Sequence, residues 1–342
     1  MGSKKYKAGV RDDVKLVPLK FGDFTMMEKD QDVYLGDVLS SDGLSASVQA
    51  TVAHRLGRVK GAIYEAAAIL KDYRMQAIGG MMGAWDIWEK AIIPKLLANC
   101  GSWVEVSSHT IKQLEEIQNL YCSLVFGCPS STPKPSLRGE GALLDIEHRI
   151  WLEKVCLVTS VLFKNTEEEN YARELLQEQI SMGWGGFTRE VEDICSTVGL
   201  PNACKEFISR NKVVEHIKLS SLRKLKLEMQ GLSELDKVKN KDLRKPQKYM
   251  EMISLEDARL EFRWRTNMLD NRGCMGKKYA SKACPHCPEG RQEGVEEDSL
   301  HWLTCQAYIG LRHGIDPELV LKDRIVYIRR VQELRKTLEA RI

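Results

Sequence analysis

No stretch of this chain is apolar for long enough to cross a bilayer as a helix, and the opening residues Met1-Gly2-Ser3-Lys4-Lys5 lead into no apolar run. A helical membrane span and a secretory leader are therefore not expected. There is no internal repeat and no low-complexity tract, which argues against a solenoid or a biased tail. A phosphate loop is missing as well. Met182-Gly183-Trp184-Gly185-Gly186 lacks the Gly-Lys-Ser/Thr ending, and its glycines are expected to end one helix before the next begins. Charge of one sign is scarce in excess: the formal net charge is only +3, so totals imply no particular partner. The ten cysteines are mostly single and lie in helical patterns. That usage fits a reducing compartment with one metal site better than a secreted disulfide framework. An intracellular protein, nuclear or cytoplasmic and not secreted, is the expectation.

What is present is an ordinary globular composition: 342 residues, 43% hydrophobic and 29% charged, enough to bury a sizeable core in two or three domains. The pattern is mainly α. Short strands are read within residues 14–39, ending at the turn Ser40-Ser41-Asp42-Gly43. Helical periodicity begins at Leu44, with Ser45 or Ser47 as the cap, and continues to about Tyr73. Further helices are expected over about Met81–Cys100, kinked at Pro94, and over about Ser108–Phe126. Beyond the proline-containing loop 127–135 they are expected at about 138–164, 166–181, 187–198 and 203–229. The basic stretch Asp236–Lys248 reads as a linker or exposed loop. Ser254 caps a helix over Leu255–Asp270, and a last helix covers about Lys322–Ala340. Cys100, Cys122, Cys156 and Cys195 fall at helical apolar positions, as buried thiols do. His54, His109, His148 and His216 are isolated and read as structural.

The most specific motif is Cys284-x2-Cys287-x13-His301-x3-Cys305. Two cysteines two residues apart form a tight knuckle whose sulfurs grip an ion from one side. His301 and Cys305, four apart on a helix, project from one face. Asp298 or Ser299 is placed to cap that helix. Three thiolates and an imidazole, with no position left open, describe a structural zinc site. His286 and Cys274 are alternative donors.

The second clue is basic. Residues 203–280 hold 19 Lys/Arg against 11 Asp/Glu. Arg259, Arg263 and Arg265 around Phe262 and Trp264, with Arg272, Lys277 and Lys278, would give a phosphate-facing surface whose aromatics stack unpaired bases. The competing reading is a solvated helix face with Trp264 in the core.

Taken in order, several segments resemble the C-terminal half of reverse transcriptases from non-LTR retrotransposons. Tyr34-Leu35-Gly36 followed by Leu39-Ser40-Ser41-Asp42-Gly43 is similar to the hairpin that closes the palm and positions the primer end. Ile93-Pro94-Lys95-Leu96-Leu97 with Gly101 and Trp103 resembles the thumb segment. Gly127-Cys128-Pro129, Thr132-Pro133 and Leu137-Arg138-Gly139-Glu140-Gly141 resemble the helical region beyond it, and Arg259–Asp270 with the Cys-Cys-His-Cys cluster and Leu311-Arg312 resembles the terminal zinc knuckle.

The resemblance covers nearly the whole chain. It implies a palm end over 1–43, a helical thumb over 44–135, a helical connection over 136–250, and a basic helix, knuckle and final helix over 251–342. It implies RNA and DNA, as template-primer, for partners, together with a palm and fingers portion. Catalysis in that family needs carboxylates holding two Mg²⁺ ions. The one adjacent pair here, Asp12-Asp13, lacks the family's aromatic-Ala lead and reads as a solvated turn. Mg²⁺ would then belong to a full-length enzyme only, and no polymerase activity is expected of this chain alone. The alternatives are a zinc-stabilised helical protein-interaction module derived from a retroelement, or a decayed open reading frame.

Overall fold

The computed structural model describes residues 19–21, 24–26, 31–34, 37–40, 42–72, 76–163, 171–183, 186–232, 235–270, 281–287, 295–318 and 320–339. Asp12, Asp13, Leu35, Gly36, Arg272, Cys274, Lys277 and Lys278 lie outside the described residues.

Two small antiparallel ladders open the chain. β1 (Leu19–Phe21) pairs with β2 (Phe24–Met26), and β3 (Gln31–Tyr34) pairs with β4 (Asp37–Ser40), Tyr34 standing opposite Asp37. Tyr34 is the last residue of β3. Helix α1 (Leu44–Ile69) receives β4: Thr51 Oγ1 accepts from the Val38 amide at 2.7 Å, and Ser47 Oγ accepts from the Ser40 amide at 2.8 Å. Ser47 therefore tethers the strand, while Gly43, with φ 106°, stands at the helix start without a side-chain cap. Arg55 completes the junction. Its guanidinium meets Asp37 at 2.6 Å and the Ala98 carbonyl at 2.6 Å.

The helix expected over 81–100 is three pieces: α2 (Gly80–Ile87), a π turn (Trp88–Ile92) and α3 (Ile93–Leu96). Pro94 has no N–H to donate to the carbonyl four residues back, and the helix accommodates this by widening just before the proline. α4 (Ser108–Phe126) matches its expected range. Ser107 Oγ accepts from the Thr110 amide, and Gly127, in the left-handed region at φ 57°, closes the other end. The helix expected from 138 is divided by Ala142 (φ 50°) into α5 (Lys134–Gly141) and α6 (Ile146–Phe163). α7 (Tyr171–Met182) and α8 (Phe187–Val198) follow, with Gly183 and Gly186 both at positive φ between them. α9 (Arg210–Met229) starts later than expected because Ser209 caps it. After the short α10 (Asp236–Lys239) and α11 (Tyr249–Met252) comes α12 (Leu255–Arg265), capped by Ser254 as expected. α13 (His301–Thr304), α14 (Gln306–Ile309) and α15 (Leu321–Glu339) end the chain.

One continuous apolar cluster runs from Val48 to Ile150 and resumes from Tyr249 to Val331. Core residues of α1, α2 and α4 are thus packed on those of α12, α13 and α15. Phe126 and Phe262 stack at 3.8 Å between ring centres, and Tyr121 lies on Trp88 at 5.1 Å. A second cluster joins α6, α8 and α9, and a third gathers Leu225, Met229, Leu235, Val238 and Leu243. Among the described residues no helix is long and apolar enough to cross a membrane.

Candidate metal centre

Cys284, Cys287, His301 and Cys305 come together as the sequence spacing anticipates, with one ligand atom from each lying within 4.8 Å of all the others. Cys284 Sγ is 3.8 Å from Cys305 Sγ, and Cys287 Sγ is 3.5 Å from His301 Nε2. All three sulfurs are buried. The set can hold a metal ion.

The local chain explains the convergence. Cys284 N donates to the Val295 carbonyl at 2.9 Å and Glu297 N to the Lys282 carbonyl at 2.9 Å, so two short segments clamp the knuckle as an antiparallel bridge. The N-cap position is Leu300 rather than Asp298 or Ser299, and no side chain caps the helix there. Asp298 Oδ1 instead accepts from the His301 amide at 2.6 Å and holds the turn that leads into it. The turn that follows puts Cys305 N on the His301 carbonyl at 2.7 Å, bringing imidazole and thiol to one side. His286 stays outside the ligand set, its ring 5.9 Å from that of Tyr308.

The electrostatics favour a cation. Cys284 and Cys305 share a hydrogen bond, and the backbone N–H groups of His286 and Cys287 point at the Cys284 sulfur. Together they outweigh burial and lower the Cys284 thiol, while the same contact and burial raise Cys305. Without a positive ion, two buried sulfurs this close share one proton; a bound metal removes the need for it.

A further shell fixes the cluster to the last helix. Glu297 has no exposed surface, and its Oε1 accepts from Trp302 Nε1 and from the Tyr308 hydroxyl, both at 3.3 Å. Arg335 of α15 pairs with the same oxygen at 3.3 Å and lies over the Trp302 ring. The Tyr327 hydroxyl donates to the Trp302 carbonyl. No local sequence signal marks Glu297 and Arg335, because their partnership spans the loop between the knuckle and the final helix.

The arginines of α12 have inward commitments. Arg259 donates to the Val125 and Leu124 carbonyls at 2.8 and 3.2 Å, closing the C-terminal end of α4 where the helix dipole favours a cation. Arg265 pairs with the fully buried Glu140 at 2.9 Å and lies over the Tyr249 ring. Arg263 is half-buried and donates to the Arg259 carbonyl at 3.3 Å. Phe262 and Trp264 are buried, so neither offers a face on which a base could stack, and the core reading of Trp264 is the correct one.

A second group of potential ligands, Asp145, Glu147 and His148, sits where α6 begins. Lys224 already supplies its cation, 2.8 Å from Glu147 and 3.7 Å from Asp145. His148 lies between Asp145 (2.9 Å) and Ser220 (3.1 Å) in an acid–imidazole–hydroxyl order. The adjoining cavity is lined by Ser221 rather than Ser220, and Ser221 donates to Asp145 at 2.5 Å. The group is a buried polar clamp between α6 and α9. The chain matches no protein-family model, no curated protein and no solved structure.

Proposed function

We propose that this chain is the nucleic-acid-gripping, non-catalytic portion of a retrotransposon-type reverse transcriptase, and that the Cys-Cys-His-Cys cluster closes around a structural zinc. The observation that carries the zinc is the pair of ligand separations. A tetrahedral ion with Zn–S near 2.3 Å and Zn–N near 2.0–2.1 Å has sulfur–sulfur edges of about 3.8 Å and sulfur–nitrogen edges of about 3.5 Å. The cluster has 3.8 and 3.5 Å. Four protein donors leave no position for substrate or water, so the ion's role is to order the fold.

The motifs quoted above are what suggest the family, and the reading rests on them. The second strand of the hairpin, β4, leans on α1, and α12 and the knuckle share one core with α4. In this reading Tyr34, Leu35 and Gly36 position a primer end, and the chain grips template-primer while a palm supplies Mg²⁺ chemistry.

Purified protein should contain one equivalent of zinc by elemental analysis and bind an RNA template annealed to a DNA primer, with affinity that falls as salt rises. A folded, metal-free protein indifferent to that duplex would sink the proposal, as would primer extension by this chain alone. Capture of a protein partner without nucleic-acid affinity would instead favour an interaction module.

A further inference from the structure

The stretch read as a linker or exposed loop is exposed at its lysines and anchored at a few buried points. Leu243 and Tyr249 are buried, Gln247 N donates to the Glu140 carbonyl at 3.2 Å, and Gln247 Nε2 donates to the Asp242 carbonyl at 2.9 Å. Beside these anchors Lys241, Lys245 and Lys248 are exposed, and none makes an ion pair among the described residues. They border two abutting cavities of about 590 and 580 Å³ that share Lys241, Glu261, Arg265 and Arg324. The far wall of one cavity is the metal module itself, through Leu300, Leu303 and Thr304.

Most acids along this groove are neutralised. Glu261 is buried against Arg324 at 2.8 Å, Asp242 pairs with Arg244 at 3.0 Å, and Glu318 pairs with Arg312 at 2.9 Å. Glu251 remains at the rim of the second cavity. The remaining field is positive, and it is carried by side chains on a backbone that is already ordered, which lowers the cost of engaging a ligand.

We propose that this groove, between the basic segment 237–248 and the metal module, is a track for the phosphodiester backbone of RNA or DNA. Lys241, Lys245 and Lys248 are its phosphate contacts. The inference rests on the nucleic-acid reading above and gives the phosphate contacts to these lysines rather than to Arg259 and Arg265, which are engaged by internal partners. Trp264 and Tyr249, the aromatics that line the groove, are both buried, so recognition is through charge and indifferent to sequence.

The test is fluorescence anisotropy with a labelled RNA template annealed to a DNA primer, titrated at several salt concentrations. Each phosphate contact contributes roughly 0.9 to the slope of log K against log salt. The variant Lys241→Gln/Lys245→Gln/Lys248→Gln should therefore lose roughly 3 from that slope and bind at least about tenfold more weakly. Its circular dichroism should match the parent, and Lys→Arg at the same three positions should restore binding. If the parent binds but the Gln variant keeps the parental slope, the groove is not the track and the wider reading stands. If polyglutamate displaces the parent as readily as unlabelled duplex does, the groove is a general polyanion site and the inference fails. A parent that binds no duplex overturns both.

Discussion

Arg265 and Glu140 show how one side chain can look like a ligand contact and be a structural strut. Glu140 is fully buried, and burial pushes its carboxyl upward against the pull of Arg265, which faces it at 2.9 Å. Arg265→Ala would leave that acid uncompensated and should cost about 3–5 kcal/mol in urea denaturation. The double change Arg265→Met/Glu140→Leu should recover most of the loss. Asp145 supplies a pH-dependent counterpart. Burial raises its carboxyl, but hydrogen bonds from His148 and Ser221 with the charges of His148 and Lys224 more than reverse this and hold it well below the ordinary range. A depressed acid stabilises the fold above its unfolded value, near pH 4, and the contribution fades as pH falls below that. Asp145→Asn keeps an acceptor at the start of α6, so its penalty should be clear at pH 7 and shrink steadily by pH 2–3 in paired urea melts. The sequence could not show these pairings, since Glu140 and Arg265 meet across more than a hundred residues. It did show Cys284, Cys287, His301 and Cys305, because metal ligands on a knuckle and a helical turn must keep fixed spacing.

Among the elements, those with local signals were legible. α4 runs over its expected range, α8 likewise, and Ser254 caps α12, because periodicity, a capping side chain and a glycine terminus are all written nearby. The breaks at Ala142 and in the π turn before Pro94 were not. Ala142 carries no glycine-like signal for its left-handed backbone, and proline marks a disturbance without saying which turn absorbs it. Gly101 belongs to this scale, for it lets the 3₁₀ turn Cys100–Ser102 approach α6. A Cβ placed there would stand 2.9 Å from the Glu153 carbonyl oxygen, a backbone atom that cannot swing aside. Gly101→Ala should therefore destabilise by about 1–3 kcal/mol, read as a lower urea midpoint with an unchanged slope.

For the molecule as a whole, the candidate metal centre shares its core with helices α1, α2 and α4. Cys284, Cys287 and Cys305 join the same cluster as Val52, Trp88 and Phe126. Structural zinc supplies on the order of 10 kcal/mol to folding, comparable to the net stability of an entire domain. On the zinc reading proposed above, a strong chelator should loosen α12–α15 first and lower the melting temperature of the remainder, and returned zinc should reverse both. Limited proteolysis with mass spectrometry would locate the first cuts; cleavage confined to α7 and α8, with the C-terminal end protected, would contradict this. The pairing of Glu297 with Arg335 sets one more limit. Shortening the chain by even its last ten residues would strand an acid in an apolar interior, so a deletion series from that end should show soluble yield falling abruptly once position 335 is crossed, while trimming only beyond it is tolerated.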